Sequence, residues 1–203
     1  GGDITKSSEL CISANFFGKS KLKNILSQKK CTLDDDIWIT GNLGNSYLGY
    51  RIITNSKLKI TKKDEEFYKN SYLYPKPCMF GSIASKFISA ATDISDGFYG
   101  DLNKILNKKF GAFLFKKNFL ISSNLRSIIS TNKSKVSLED ILSWGDDYEL
   151  VFTAHKKFKN LINNFGKKNN IKLTIVGSVI KERGIYDDSM NLIKNQGSYD
   201  HFS

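Results

Sequence analysis

Apolar and polar positions along the chain follow two rhythms. The run Ile37-Trp38-Ile39, ending in Thr40-Gly41, predicts a strand. Gly44 to Thr54 then has apolar positions at Tyr47, Leu48, Ile52 and Ile53, the spacing of a helix. Together these segments read as a strand, a Gly-rich turn and a helix. Upstream, the apolar run from Leu10 to Phe17 has strand character, with a short helix predicted from about Lys21 to Leu26. Residues 55–72 are charged and mixed and read as a helix or a lid. Pro75 and Pro77 mark a rigid extended joint, because each fixes φ and disfavours helix in the residue before it.

The second half continues the alternation. A helix is predicted from Ile83 to Ser89, and another after Asp93-Ile94-Ser95-Asp96-Gly97, with Phe98, Leu102, Ile105 and Leu106 on one face. Ala112 to Phe115 reads as a strand. Ser137-Leu138-Glu139-Asp140 has the spacing of a capping box that opens a short helix. Leu150 to Thr153 reads as a strand, Lys156 to Phe165 as an amphipathic helix, and Leu173 to Val179 as a further strand. Alternating helices and strands place the chain in the α/β (α+β) class.

Composition narrows the picture. With 203 residues, 40% of them hydrophobic, the chain is long enough for one domain with a sizeable core, or one domain plus a fragment. Lys and Arg number 31 against 20 Asp and Glu, a formal charge of +11. The arginines are Arg51, Arg126 and Arg183 alone, so the excess is lysine and lacks the guanidinium fork on which nucleic-acid recognition leans. It reads as a solvated lysine surface, with no nucleic-acid partner expected. No apolar stretch approaches the roughly 18 to 20 residues of a membrane-spanning helix, and the N-terminus lacks a signal-peptide pattern. Cys11, Cys31 and Cys78 are far apart, and with only His155 and His201 beside them a zinc site is not expected. A soluble, cytoplasmic protein with reduced thiols and no membrane partner is the expectation. The first methionine is Met79 and the chain opens on Gly1-Gly2-Asp3, so a fragment lacking an N-terminal part is expected.

The candidate chemistry lies in carboxylates beside glycines at three separated places: Gly2-Asp3, Asp93-x-Ser95-Asp96-Gly97 and Gly145-Asp146-Asp147. Each puts an acid on a tight turn where the backbone can approach closely. Hard cations such as Mg2+ take oxygen ligands, typically one or two carboxylates plus phosphate oxygens, so such loops can converge on a polyphosphate. The same turns are also ordinary as surface loops and caps, with Asp96 capping the helix that begins near Phe98.

The strings Asp93-Ile94-Ser95-Asp96-Gly97-Phe98 with Asp101-Leu102, Gly145-Asp146-Asp147-Tyr148-Glu149-Leu150 with Phe152-Thr153, and Gly197-Ser198-Tyr199-Asp200-His201-Phe202 resemble the thiamine-monophosphate kinase family. Gly1-Gly2-Asp3-Ile4-Thr5 resembles its Gly-Gly-Asp-Thr-Thr motif, and Trp38-Ile39-Thr40-Gly41-x-Leu43-Gly44 its Val-Thr-Gly-x-Leu-Gly motif. The motifs keep the family's order from one end of the chain to the other. The resemblance implies transfer of the γ-phosphoryl group of ATP to thiamine monophosphate, giving thiamine diphosphate, with Mg2+ as cofactor. It implies Asp3, Asp93 and Asp96 as Mg2+ ligands, Gly2, Asp3 and Ser95 at ATP, and Asp146 and Tyr199 at thiamine monophosphate. A carboxylate and an aromatic face both suit a thiazolium cation. Asp147, Tyr148 and Glu149 are expected to be scaffold and His201 structural or exposed.

The chain departs from the family pattern in places. Gln28-Lys29-Lys30 stands where the family has an Arg near ATP, Asp34-Asp35 replaces Pro-Gly, Trp144 replaces a Gly, and Ser198 precedes the tail aromatic. The resemblance implies that residues 1–30 end an N-terminal ATP-binding domain and that 31–203 form a C-terminal domain of the aminoimidazole ribonucleotide synthetase type. The absent N-terminal part would supply further carboxylates, much of the ATP pocket and a homodimer interface, so this chain alone is expected to be inactive. Three other readings stay open: another ATP-using member of the superfamily, of the selenophosphate synthetase or purine-synthesis ligase type; a non-catalytic basic binding domain; and a degenerate homologue, given Gln28 and the expected truncation.

Overall fold

The computed structural model describes residues 6, 8–19, 25–54, 57–119, 122–132 and 135–194. Its centre is a six-stranded sheet made of β1 (Asp36–Thr40), β2 (Ala90–Asp93), β3 (Gly111–Leu114), β4 (Leu150–Ala154), β5 (Leu173–Ile180) and β6 (Gly184–Tyr186). The strand order is β2-β4-β1-β5-β3-β6. β4 runs antiparallel to both β1 and β2, β5 antiparallel to β1 and β3, and only the β3–β6 pair is parallel.

Seven helices accompany the sheet among the described residues: α1 (Asn45–Ile53), α2 (Lys62–Leu73), α3 (Phe80–Ala84), α4 (Phe98–Leu106), α5 (Ser123–Thr131), α6 (Leu138–Ser143) and α7 (Lys159–Lys168). Helices cover both sheet faces, which explains why the first strand reads as an unbroken apolar run rather than an alternating one. Successive side chains of β1 point to opposite sides. Ile37 and Ile39 enter a core with Leu48 of α1, Tyr68 of α2, Leu102 of α4, Leu125 of α5 and Ile141 of α6. Trp38 enters a second core with Phe80 of α3 and Ile162 of α7, and stacks on Phe152 at 5.9 Å between ring centres. None of these helices is long and apolar enough to cross a membrane.

Within the mixed segment 55–72, residues 62–72 lie in α2, whose start is capped by Thr61, the side chain accepting the Asp64 N–H. The acidic run before β1 is a turn, in which buried Asp35 accepts the Thr32 N–H at 3.1 Å and its hydroxyl at 2.8 Å. The capping box at α6 forms in both directions, Ser137 accepting from the Asp140 N–H and Asp140 from the Ser137 N–H.

Other expectations differ from the structure. The run from Leu10 to Phe17 forms no strand: no described segment pairs with it, and Leu10, Ile12, Phe16 and Phe17 are exposed. Of the helix expected at Lys21–Leu26, residues 21–24 lie outside the described residues, and Ile25 and Leu26 are not helical. The helix expected from Ile83 to Ser89 is centred earlier, as α3, because the chain must already be extended by Ala90 to pair with β4. β2 itself has a weak strand sequence, Ala-Ala-Thr-Asp, and owes its conformation to that pairing.

Replacing Ser137 with Ala should remove the reciprocal cap of α6 and lower stability by about 1 kcal/mol, measured as a shift of the urea midpoint at unchanged slope.

Candidate functional site

Because β4 is antiparallel to its two neighbours, three connections meet at one end of the sheet. β1 ends there at Thr40 and enters Gly41–Gly44, β2 ends at Asp93 and enters Ile94–Gly97, and the segment Trp144–Glu149 arrives to begin β4. The sequence motifs around Asp93 and Asp146 are thus brought side by side.

Main-chain bonds join the two acidic loops. The Ile94 N–H donates to the Glu149 carbonyl at 2.8 Å, the Tyr148 N–H to the Ile94 carbonyl at 3.0 Å and the Asp146 N–H to the Ser95 carbonyl at 3.1 Å. Gly145 permits this approach, since a Cβ on it would lie 1.8 Å from the Ser95 carbonyl oxygen. Asp146 and Tyr148 have left-handed backbones, with φ of 62° and 49°. Aspartate tolerates that region and tyrosine does so at a cost, so the conformation is imposed by the inter-loop bonds. Gly97, with φ 119° and ψ 145°, makes the sharp turn into α4 that other residues avoid.

Sequence reasoning assigned no role to Asp101. On the first turn of α4, its buried carboxylate accepts the Ser95 and Asp96 N–H groups at 2.9 and 3.0 Å and pairs with Lys104 at 2.6 Å. Burial pushes its carboxyl up, and Lys104 and the Asp96 N–H oppose the shift. Asp96 is therefore held by its own backbone and, through its side chain, by Lys104 at 2.5 Å. It does not cap α4 with its side chain, which leaves the capping alternative without a bond to support it. Asp93 is exposed, and its Oδ1 receives a 3.3 Å bond from the Thr92 hydroxyl. That hydroxyl accepts from the Gln28 side-chain amide at 3.1 Å, so Gln28 reaches the neighbour of Asp93. The acidic spacing Asp96, Asp101 followed by Lys104 three residues on was the available signal for this network.

Asp146 is half-buried, and its carboxyl is raised by burial and then by the charge of Asp96. Asp147 and Glu149 turn toward the β1–α1 connection instead. Asp147 accepts the Gly44 N–H at 2.8 Å, the Ser46 N–H at 3.2 Å and the Ser46 hydroxyl at 2.9 Å, and burial pushes its carboxyl up to about 7. Glu149 accepts the Thr40 hydroxyl at 2.5 Å, and a Cβ on Gly41 would overlap its carboxylate. Beside them opens a cleft of about 460 Å³ lined by Asn42, Asn45, Phe67, Asn70, Tyr74 and Lys76 among others. Phe67 and Asn70 in this lining belong to α2.

Gly2, Asp3, Tyr199 and His201 lie outside the described residues. Asp93, Ser95, Asp96 and Asp146 lie on two loops that the main-chain bonds hold side by side. Among the described residues no group of three or more His, Cys, Asp or Glu side chains forms a metal cage. The donor set is nevertheless suited to Mg2+, which keeps several waters and takes one or two carboxylates together with phosphate oxygens. Burial is the main cause of the raised Asp146 carboxyl, and the Asp96 charge adds to it, a repulsion that a cation would offset.

Two outcomes follow for this loop pair. Gly145→Ala should force the Ser95 and Asp146 backbones apart and cost about 1–3 kcal/mol, read from thermal unfolding. For Asp147, a folded pKa of about 7 lies above its unfolded value. The folded state then binds the extra proton, and this group's contribution to stability is lost as pH rises from about 4 to 7. Asp147→Asn should flatten that part of the stability-versus-pH curve, whereas an unchanged slope would show that Asp147 titrates normally.

No protein-family model matches the chain. It is 36% identical over 203 residues to thiamine-monophosphate kinase of Buchnera aphidicola subsp. Schizaphis graminum, an alignment covering 97% of this chain and 59% of that protein. Among solved structures, thiamine-monophosphate kinase from Stenotrophomonas maltophilia K279a superimposes with a TM-score of 0.72 at 27% identity, covering 82% of this chain and 54% of that one. A structure of AaThiL complexed with AMPPCP and TMP gives a TM-score of 0.73 over 87% of this chain and 54% of that one, and at 22% identity this likeness concerns the fold alone. By sequence and by fold the chain is similar to thiamine-monophosphate kinases, and it spans 59% of the length of the Buchnera protein.

Proposed function

We propose that the chain is part of a kinase that transfers the γ-phosphoryl group of ATP to the phosphate of thiamine monophosphate, giving thiamine diphosphate and ADP. The observation that carries this reading is the backbone pairing of the Asp93–Gly97 turn with the Gly145–Glu149 turn, which puts the proposed donor-side and acceptor-side motifs against one another. The names of the homologues support the same activity.

In this transfer the bond from the γ-phosphorus to its bridging oxygen breaks, and a bond to an oxygen of the acceptor phosphate forms. That oxygen is already an anion near neutral pH, because a phosphate monoester loses its second proton with a pKa of about 6. No side chain has to act as a base, and the protein's work is positioning and neutralising charge. Mg2+ would supply that neutralisation, held by Asp93 and Asp96 together with Asp3. Ser95 would bind ATP with Gly2 and Asp3. Asp146 and Tyr199 would take the thiazolium end of the acceptor, a cation suited to a carboxylate and an aromatic face. We place the intact protein in the cytoplasm as a homodimer, with residues 1–30 closing an N-terminal domain. The thiols of Cys11, Cys31 and Cys78 are unpaired, in keeping with a reducing compartment.

The test joins this chain to the part of the Buchnera relative outside the aligned region and supplies ATP, Mg2+ and thiamine monophosphate. Thiamine diphosphate is the expected product, and a folded chimaera that forms none would contradict the proposal. In the same background Asp93→Asn should lower turnover at least about 100-fold. Because Asp93 is exposed, stability should stay within about 0.5 kcal/mol, and a large loss of stability would mark Asp93 as scaffold instead.

A further inference from the structure

Lys104 sits on α4 three residues beyond Asp101, and its ammonium lies 2.5 Å from Asp96 and 2.6 Å from Asp101. Side chains on a helix lean toward its N-terminus, which is why a lysine in the last turn of α4 reaches the loop that opens it. The two partners differ in kind. The Asp101 side chain is 0% exposed and its other oxygen is occupied by the Ser95 and Asp96 N–H groups, so this contact is fixed. The Asp96 side chain is 29% exposed, so solvent reaches it and this contact can exchange.

We propose that Lys104 is a built-in counter-ion that competes with a divalent cation for the Asp96 carboxylate and so sets the cation affinity of the Asp93–Gly97 loop. The inference rests on reading Asp96 as a Mg2+ ligand. An ammonium at hydrogen-bond distance uses the lone pairs that a hard cation would take. Tied to Asp101, Lys104 cannot move far when displaced, so an arriving cation also meets a positive charge fixed nearby. The loop thus keeps Asp96 neutralised and ordered before a cation and its phosphates arrive. If Lys104 only neutralised buried Asp101, its loss would loosen the loop and weaken cation binding. As a competitor, its loss strengthens binding, so the two roles predict opposite signs.

The experiment titrates Mn2+ into the unaltered chain, Lys104→Met and Lys104→Arg by calorimetry, with thermal unfolding as a check that each is folded. Lys104→Met keeps the apolar stem and should bind Mn2+ about fivefold more tightly, the scale of a partly exposed ion pair. Lys104→Arg keeps the charge and should bind no more tightly than the unaltered chain. Equal or weaker binding by folded Lys104→Met overturns the inference and leaves Asp96 as a ligand. Binding that Asp96→Asn does not weaken, or no binding by any of these chains, overturns both. Should Lys104→Met fail to fold, amine acylation of the unaltered chain decides. Mg2+ should raise labelling of Lys104 at least about twofold relative to Lys116, which is paired with Glu139, and unchanged labelling would overturn the inference.

Discussion

The contact between the Ser95 carbonyl and the Gly145–Asp146 backbone is the constraint on which the site depends. Two loops from distant parts of the sequence meet there main chain to main chain, with no side chain between them. The approach requires a glycine at 145, a left-handed aspartate at 146 and an Asp101 carboxylate that holds the Ser95 and Asp96 N–H groups from beneath. It also requires the antiparallel placement of β4 between β1 and β2, which brings the end of β2 level with the start of β4. Asp93 and Asp96 on one loop and Asp146 on the other are consequences of this geometry.

Electrostatics divides the acidic residues into two groups. Asp147 and Glu149 point into the protein, where they hold the Gly41–Gly44 connection through the Gly44 and Ser46 N–H groups and the Thr40 hydroxyl. Their carboxyls are raised first by burial, and they act as structural acceptors. Asp93, Asp96 and Asp146 are the acids proposed to face the cation and the phosphates. Like charges gathered on closely packed loops repel one another, and the Lys104 ammonium is the contact that offsets Asp96. The +11 formal charge has little bearing on this arrangement, because the informative charges are a few acids on glycine turns.

Much of this was legible in the sequence where a local rule and the final packing agree. The β1–Gly-turn–α1 unit, the joint at Pro75 and Pro77, the capping box at Ser137 and the strands around Phe152 and Val176 follow directly from periodicity and turn chemistry. The glycine-flanked acids marked the site, although pattern alone could not show that the Asp93 and Asp146 loops touch. β2 was not visible because Ala-Ala-Thr-Asp becomes a strand only through pairing with β4. The Leu10–Phe17 run failed for the complementary reason, having strand composition but no described partner. Asp101 stood inside a recognised motif, but its role depends on the fold of the loop before it.

The central claim is that these two loops form one cation- and phosphate-facing site. The most direct measurement is paramagnetic broadening of the backbone amide NMR signals by substoichiometric Mn2+. The account predicts that Ser95, Asp96 and Asp146 broaden together and first, while the distant strand Gly184–Tyr186 stays sharp. Broadening that selects another region, or that separates Asp96 from Asp146, would contradict it.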